Sequence, residues 1–325
     1  MRRILALAAL TVFSIIAITC GGGSSTSGSS AGNELAESCS STATSRAYLM
    51  AFHVCDTSTA VCSNPANHSI RLAGSDDGLN WTLLQDFAPL AGSVPDIVEY
   101  DGALYIYHTG LEHYASVNAC LQVTESGSVA ISGESGGFVD TSLILVDGAL
   151  TMFYLPGIIG MDPAGCQDYP CVKEIHSARS VNGSASSFAQ IPGSRASANL
   201  TGGVFSDPDI VSRSNGSYLL YVSSGQSVLG YSSTDIDGSF TGGVTISNGA
   251  GGVPSAIEAP DGAIWLYVTT TVGGVEVIRR ALLADDLTPA SWVDFVTVMN
   301  GSALGLGASV SVSSPSIIPW PSSWK

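Results

Sequence analysis

The apolar residues of this chain fall into short runs separated by Asp-Gly and Asn-Gly pairs, and the runs repeat. Residues 94–107 read Val-Pro-Asp-Ile-Val-Glu-Tyr, then Asp101-Gly102, then Ala-Leu-Tyr-Ile-Tyr, which predicts a strand, a two-residue turn and a second strand. Asp-Gly supplies the positive φ that a tight hairpin turn demands. The unit recurs at residues 140–153 around Asp147-Gly148, at 207–221 around Asn215-Gly216 and at 254–267 around Asp261-Gly262. Each hairpin leads into a third strand and another turn. Ser75-Asp76-Asp77-Gly78-Leu79-Asn80-Trp81 shows that second half best, and it is echoed from Ser232 to Phe240 and from Asp285 to Trp292. The predicted unit is a four-stranded meander.

The ends of the repeat region set the count. It opens on a second-strand sequence, Tyr48-Leu49-Met50-Ala51-Phe52, and closes on a first-strand sequence, Ser314-Pro315-Ser316-Ile317-Ile318. If the late strand completes the early sheet, five sheets result with no free edge, and radial closure is how such sheets avoid exposed edges. The expected fold class is all-β, a five-bladed β-propeller over residues 46–325. A β-sandwich fits the first-strand and last-strand match poorly. The aromatic residues Phe52, Tyr107, Phe153, Tyr221 and Tyr267 fall at one position of the five units and are expected in the core between blades.

Charge adds an exclusion. Only 12% of residues are charged, the net charge is -16, and the two lysines are Lys173 and Lys325. A phosphate binder needs clustered Lys and Arg, so nucleic acid is excluded as a partner. The 37 glycines suit many tight turns. Ahead of the repeats, Arg2 and Arg3 precede an apolar run from Ile4 to Ile18, shorter than the roughly twenty residues of a membrane-spanning helix and suited to a signal peptide. The run ends at Ala17-Ile18-Thr19-Cys20 and resembles a bacterial lipoprotein signal, which implies a signal peptide at 1–19 and lipidation at Cys20. Residues 20–45 are Gly/Ser-rich and read as a tether. The chain is expected to be exported, anchored to a lipid membrane facing the periplasm or cell surface, and monomeric. Six further cysteines in an exported chain favour disulfides over metal thiolates. Cys55 with Cys62 and Cys166 with Cys171 close short loops, which leaves Cys39 with Cys120.

Candidate chemistry follows from the topology. In a propeller, the starts of the innermost strands and the loops after the second strands open on one face around the axis, and loops on a rigid scaffold carry function. That rule brings Asp96, Asp140, Asp207 and Asp209 to one rim, with Ser255, Ser314 and Ser316. It adds His53 and His108 at second-strand ends, Glu112, His113 and Tyr114 in the next loop of the second unit, and Asp162, Gln167, Asp168 and Tyr169 in the third. Paired carboxyl groups at a polar funnel are what glycosidic bond cleavage requires, one as proton donor and the other as base or nucleophile. An Asp beside Pro also serves as a turn cap. His53 and His108 with Asp96 and Glu112 could hold a divalent metal, but a lone strand histidine is more often packed or hydrogen-bonded, and no cofactor is expected to be required.

With its repeated Pro-Asp-Ile-Val, Asp-Gly and Tyr pattern closed end to end, the region from Arg46 to Lys325 resembles the five-bladed propellers of arabinanases, xylosidases and invertases, notably glycoside hydrolase family 43. The resemblance implies carbohydrate as the partner, and three roles. The base falls on Ser314 of Ser314-Pro315-Ser316-Ile317, the residue that tunes pKa on Asp140, and the acid on Ser206, beside Asp207. Two of the three positions are therefore serine. The alternative is a non-catalytic propeller that binds a glycan or a protein on the same face. Ser75 to Trp81 also resembles a shortened Asp-box of sialidase propellers, where it is structural. Arg71, Arg279 and Arg280 lie on third strands, so the arginine cluster a sialidase needs is missing.

Overall fold

The computed structural model describes residues 44–109, 113–157, 165–283 and 286–325. Among them are five antiparallel sheets arranged as the blades of a propeller. Blade 1 pairs Val310–Pro319 with Tyr48–Asp56, then Ser69–Ser75, and its outer edge is two short strands, Thr82–Leu83 and Leu90–Ala91. Blade 2 runs outward through Ser93–Tyr100, Ala103–Thr109, His113–Val117 and Val123–Ser128. Blade 3 comprises Phe138–Val146, Ala149–Pro156, Cys171–Ser180 and Ser187–Leu200, with Ala130–Ser132 added in parallel on its outer edge. Blade 4 is Ser206–Ser212, Tyr218–Ser223, Val228–Ser233 and Thr241–Ser247; blade 5 is Gly252–Glu258, Ile264–Val272, Val275–Leu283 and Val296–Met299. The strand Val310–Pro319 closes the circle, with Met50 opposite Ile317 and Val54 opposite Val312.

Two of the hairpins have the expected form. Asp101-Gly102 and Asp147-Gly148 are left-handed at both positions, with φ of 48° and 77°, then 51° and 77°. In blades 4 and 5 only Gly216 and Gly262 are left-handed, because Asn215 and Asp261 instead accept backbone N–H bonds from Ser217 and Ala263 within a longer turn.

Because strand residues alternate sides, every blade presents one row to each neighbour, and the core divides into one cluster per interface. Tyr107 of blade 2 packs with Leu143 and Met152 of blade 3. Phe153 packs with Ile210 and Leu220, Tyr221 with Ala256 and Leu266, and Tyr267 with Met50 and Phe52. The tyrosines also clamp the next blade: the Tyr107 hydroxyl donates to Ala185 O at 2.7 Å, Tyr221 to Asp286 O at 2.7 Å, and Tyr267 to Gly78 O at 2.8 Å. Tyr267→Phe is expected to cost about 1 kcal/mol, the net worth of one hydrogen bond, with Gly78 O keeping its bond from Trp81 Nε1 at 3.2 Å, measurable as a lowered midpoint in urea.

Blade 1 departs from the expected column. Ala51, not Phe52, stands opposite Ser316 as Tyr107 stands opposite Asp96. All five blades carry the same register shift on the innermost strand, so in blade 1 it is Ala51 that takes the place of the four other aromatics, and Phe52, one residue on, turns to the blade 5 side, where it joins the cluster containing Tyr267. By the same one-residue offset His53 stands opposite Ser313, the position that Thr109 occupies opposite Ser93, so His53 and His108 are not equivalent.

The disulfides Cys55–Cys62 and Cys166–Cys171 are formed. Cys120 is disulfide-bonded as well, while Cys39 lies outside the described residues, as do the signal peptide, Cys20, most of the tether, Glu112 and Asp162.

Candidate functional site

The five innermost strands start alike. Val94, Asp140, Asp207, Val253 and Ser314 hold φ of 46°, 52°, 47°, 48° and 53°. Proline follows in four of the five, and suits an inner edge with no strand to pair with, since it has no N–H to leave unmet. A left-handed backbone costs a non-glycine residue about 1–2 kcal/mol, and a β-branched valine adopts it only under constraint.

The constraint is visible two residues on. Asp96, Ser142, Asp209, Ser255 and Ser316 each accept the N–H of the next blade's innermost strand. Leu143 N bonds Asp96 Oδ2 at 2.8 Å, Ile210 N bonds Ser142 Oγ at 3.2 Å, and Ala256 N bonds Asp209 Oδ2 at 2.8 Å. Ile317 N bonds Ser255 Oγ at 3.1 Å, and Ile97 N bonds Ser316 Oγ at 3.0 Å, so the ring is closed. Asp96 and Asp209 are therefore inter-blade clasps. Burial pushes the Asp96 carboxyl up to about 7, against the pull of its bonds from Leu143 N and Ser316 Oγ. Burial also drives Asp209 well above the carboxylate range, with the Asp96 charge adding to it.

The clasp ring divides the axis. Below it, a cavity of about 400 Å³ is lined from Asp96 to Glu99 and from Asp209 to Ser212, together with the matching residues of the other blades. Above it, a pocket of about 20 Å³ is lined by Val94, Asp140, Asp207, Val253 and Ser314. Asp96 and Asp209 also line this pocket but are taken up as clasps, so Asp140 and Asp207 are the two carboxyls that the left-handed positions of adjacent blades bring to the funnel floor. Asp207 is half-buried and accepts the Ser206 hydroxyl at 2.6 Å; burial raises its pKa and the Ser206 bond opposes the rise. By register, Asp207 rather than Ser206 is the equivalent of Asp140 and Ser314, since Ser206 pairs with Ser223 as Ser93 does with Thr109.

The histidines are spent on structure. Val94 N donates to His53 Nδ1 at 3.1 Å, which puts the proton of the neutral ring on Nε2. Burial lowers the His53 pKa to about 3, with His68 adding to the effect. His68 stacks on His53 at 4.2 Å, sits 2.8 Å from Cys62 O through Nε2, and meets Ser93 Oγ at 2.7 Å through Nδ1. His108 is buried beside Thr109 O, and His113 contacts Gly127 O. Tyr114 donates to Glu125 Oε1 at 2.5 Å, and Tyr169, 44% exposed, donates to Gly203 O at 2.5 Å. Tyr169 is the sequence-named aromatic that remains open to a ligand. Among the described residues, no group of three or more His, Cys, Asp or Glu is placed to hold a metal ion.

The signal for this ring was the residue before each proline: Val94, Asp207, Val253 and Ser314 all precede Pro, and Asp140 is their counterpart before Thr141. Ser93 and His68, which brace the rim, carry no pattern of their own in the sequence.

A five-bladed propeller with carboxyls on its funnel floor is the class these observations define. Its structural neighbours are glycoside hydrolase family 43 propellers. A GH43_1 enzyme from Xanthomonas citri, solved with xylose, matches at 16% identity over 75% of this chain and 86% of that one, with a TM-score of 0.51. The same enzyme with xylotriose matches at 18% identity and the same coverage and TM-score. An endo-arabinase from Bacteroides thetaiotaomicron VPI-5482 matches at 14% identity over 68% of this chain and 88% of that one, with a TM-score of 0.49. No protein-family model and no curated protein matches the chain.

Proposed function

We propose that the funnel face acts on carbohydrate, with Asp207 as proton donor and Asp140 as the second working carboxyl. The observation that carries this reading is that these two side chains stand at the same left-handed position of adjacent blades and line one pocket. Burial keeps Asp207 inclined to the protonated form a leaving-group oxygen needs, and Asp140 supplies the base or nucleophile of the two-carboxyl scheme. Tyr169 offers an aromatic face for a sugar ring at the rim.

A second reading, glycan binding without turnover, is favoured by the composition of the ring itself: Val94, Val253 and Ser314 fill its other three positions. Screening the purified protein on aryl glycosides and on plant and algal polysaccharides, beside Asp140→Asn, separates the two. Turnover abolished by the variant supports hydrolysis; retention on a polysaccharide gel without released sugar supports binding; neither outcome removes both.

The proposal places the protein outside the cytoplasm, lipid-anchored through Cys20. Metabolic labelling with a radioactive fatty acid should mark the wild-type chain and leave Cys20→Ala unlabelled.

A further inference from the structure

Blades 3 and 4 present Asp140 and Asp207, and the interface joining them holds polar atoms that lack partners. Thr151 lies opposite Arg179 and Phe153 opposite Ser177 in blade 3. Cross-strand partners share a face, as do residues two apart, so these four side chains point the same way. That way is toward blade 4, because Phe153 packs on Ile210 and Arg179 bonds Asp237 at 2.7 and 3.0 Å. Thr151 and Ser177 are both 0% exposed, and neither hydroxyl has a hydrogen-bond partner among the described residues.

Arg195 is tied to the same interface through Phe240. Phe240 N donates to Arg195 O at 2.7 Å, and the Phe240 ring meets Phe153 edge-on at 5.7 Å. Arg195 is 2% exposed, and its guanidinium reaches only carbonyls: Gly238 O at 3.3 Å, Pro192 O at 2.6 Å and Gly193 O at 2.8 Å. Asp235 and Asp237 act on it through their field without a hydrogen bond to it, and Asp237 already serves Arg179. The Nε atoms of Arg179 and Arg195 are both buried without an acceptor.

A buried guanidinium with no anion against it is costly, and its N–H groups can only donate. The two hydroxyls can donate as well. The missing group is therefore an acceptor, small, and negative enough to offset Arg195. Water has two acceptor sites, whereas a halide can take bonds from all four groups. We propose that this interface is a binding site for a monovalent halide-sized anion, chloride by chemical class, held by Arg195 Nε, Arg179 Nε and the hydroxyls of Thr151 and Ser177. The ion braces blade 3 against blade 4, and so the two strands that present Asp140 and Asp207. This holds whatever the funnel binds.

The test is thermal unfolding of the intact protein at constant ionic strength while sodium methanesulfonate is exchanged for sodium chloride. Tm should rise with chloride and level off, by about 5 °C once chloride stands 100-fold above its dissociation constant. The rise should vanish in a Thr151→Val/Ser177→Ala variant, and crystals grown in bromide should show an anomalous peak between Arg179 and Arg195. Equal Tm in the two salts together with no bromide peak would overturn the proposal in favour of ordered water. Should the double variant not fold, the wild-type salt series and the bromide crystal decide alone.

Discussion

Asp207→Asn should lower kcat on a glycoside with a poor leaving group by about 10²–10⁴, the contribution of a positioned general acid, while leaving glycan affinity within a few-fold. The asparagine keeps the shape and the bond to Ser206 but cannot release a proton. A nitrophenyl glycoside, whose leaving oxygen needs little protonation, should lose much less, and that contrast is what identifies an acid. Asp140→Asn should fail on both substrates alike, since a base or nucleophile is needed whatever leaves. Asp96→Asn should retain turnover, because its carboxyl is taken up by Leu143 N and Ser316 Oγ. Steady-state kinetics on the paired substrates checks all three; equal activity of wild type and both funnel variants would remove the catalytic reading.

The second large effect is on stability. The Asp96 carboxyl moves from 3.8 to about 7 on folding, chiefly through burial. Between those values the native state holds a proton that the unfolded chain has released, so stability falls as pH rises. The contribution is whole below about pH 4 and gone above about pH 7, and its size is at most about 4 kcal/mol at 1.36 kcal/mol per pH unit. Asp209 and Asp207 act in the same direction. Tm of the wild type should therefore drop from pH 4 to pH 8, and Asp96→Asn should flatten a large part of that drop and unfold at higher temperature at pH 8. An amide can accept from Leu143 N while turning its NH₂ to Ser316 Oγ, so the clasp survives. Parallel pH curves for the two proteins would show that Asp96 ionises normally.

The blade count, the closing strand and the two short disulfide loops were legible in the sequence because each rests on local chemistry: alternating apolar residues, Asp-Gly turns, and cysteines a few residues apart. Phe52 and His53 were misplaced by one residue, because the aromatic that marks the column in the other four blades is replaced by Ala51 in blade 1. Aligning blade 1 on its aromatic slides it by one position relative to the other blades, and since side chains alternate, one residue of slip changes the face. The four aspartates could be gathered to one rim, but not sorted. Asp207 and Asp209 are two residues apart and both line the funnel pocket, yet one does so from a left-handed backbone and the other has its carboxyl taken by Ala256 N of the next blade. That sorting depends on φ and on a partner strand supplied by the next repeat. The unpartnered atoms between blades 3 and 4 were beyond reach for the same reason, since they become neighbours only when the blades meet.

The closing strand has a kinetic consequence. Met50 finds its partner in Ile317 and Tyr48 in Pro319, so blade 1 is made of the most distant contacts along the propeller. Non-local pairing of this kind slows folding. Until residues 310–319 arrive, Tyr48–Asp56 keeps an open edge, and the interfaces of blade 1 with blades 2 and 5 both wait on it. Blades 2 to 5 can form in the order in which they emerge, but the ring is locked by its last strand. A chain threaded through a translocation pore would thus stay short of its locked state until nearly all of it had passed, which is the condition an unfolded-chain export route requires.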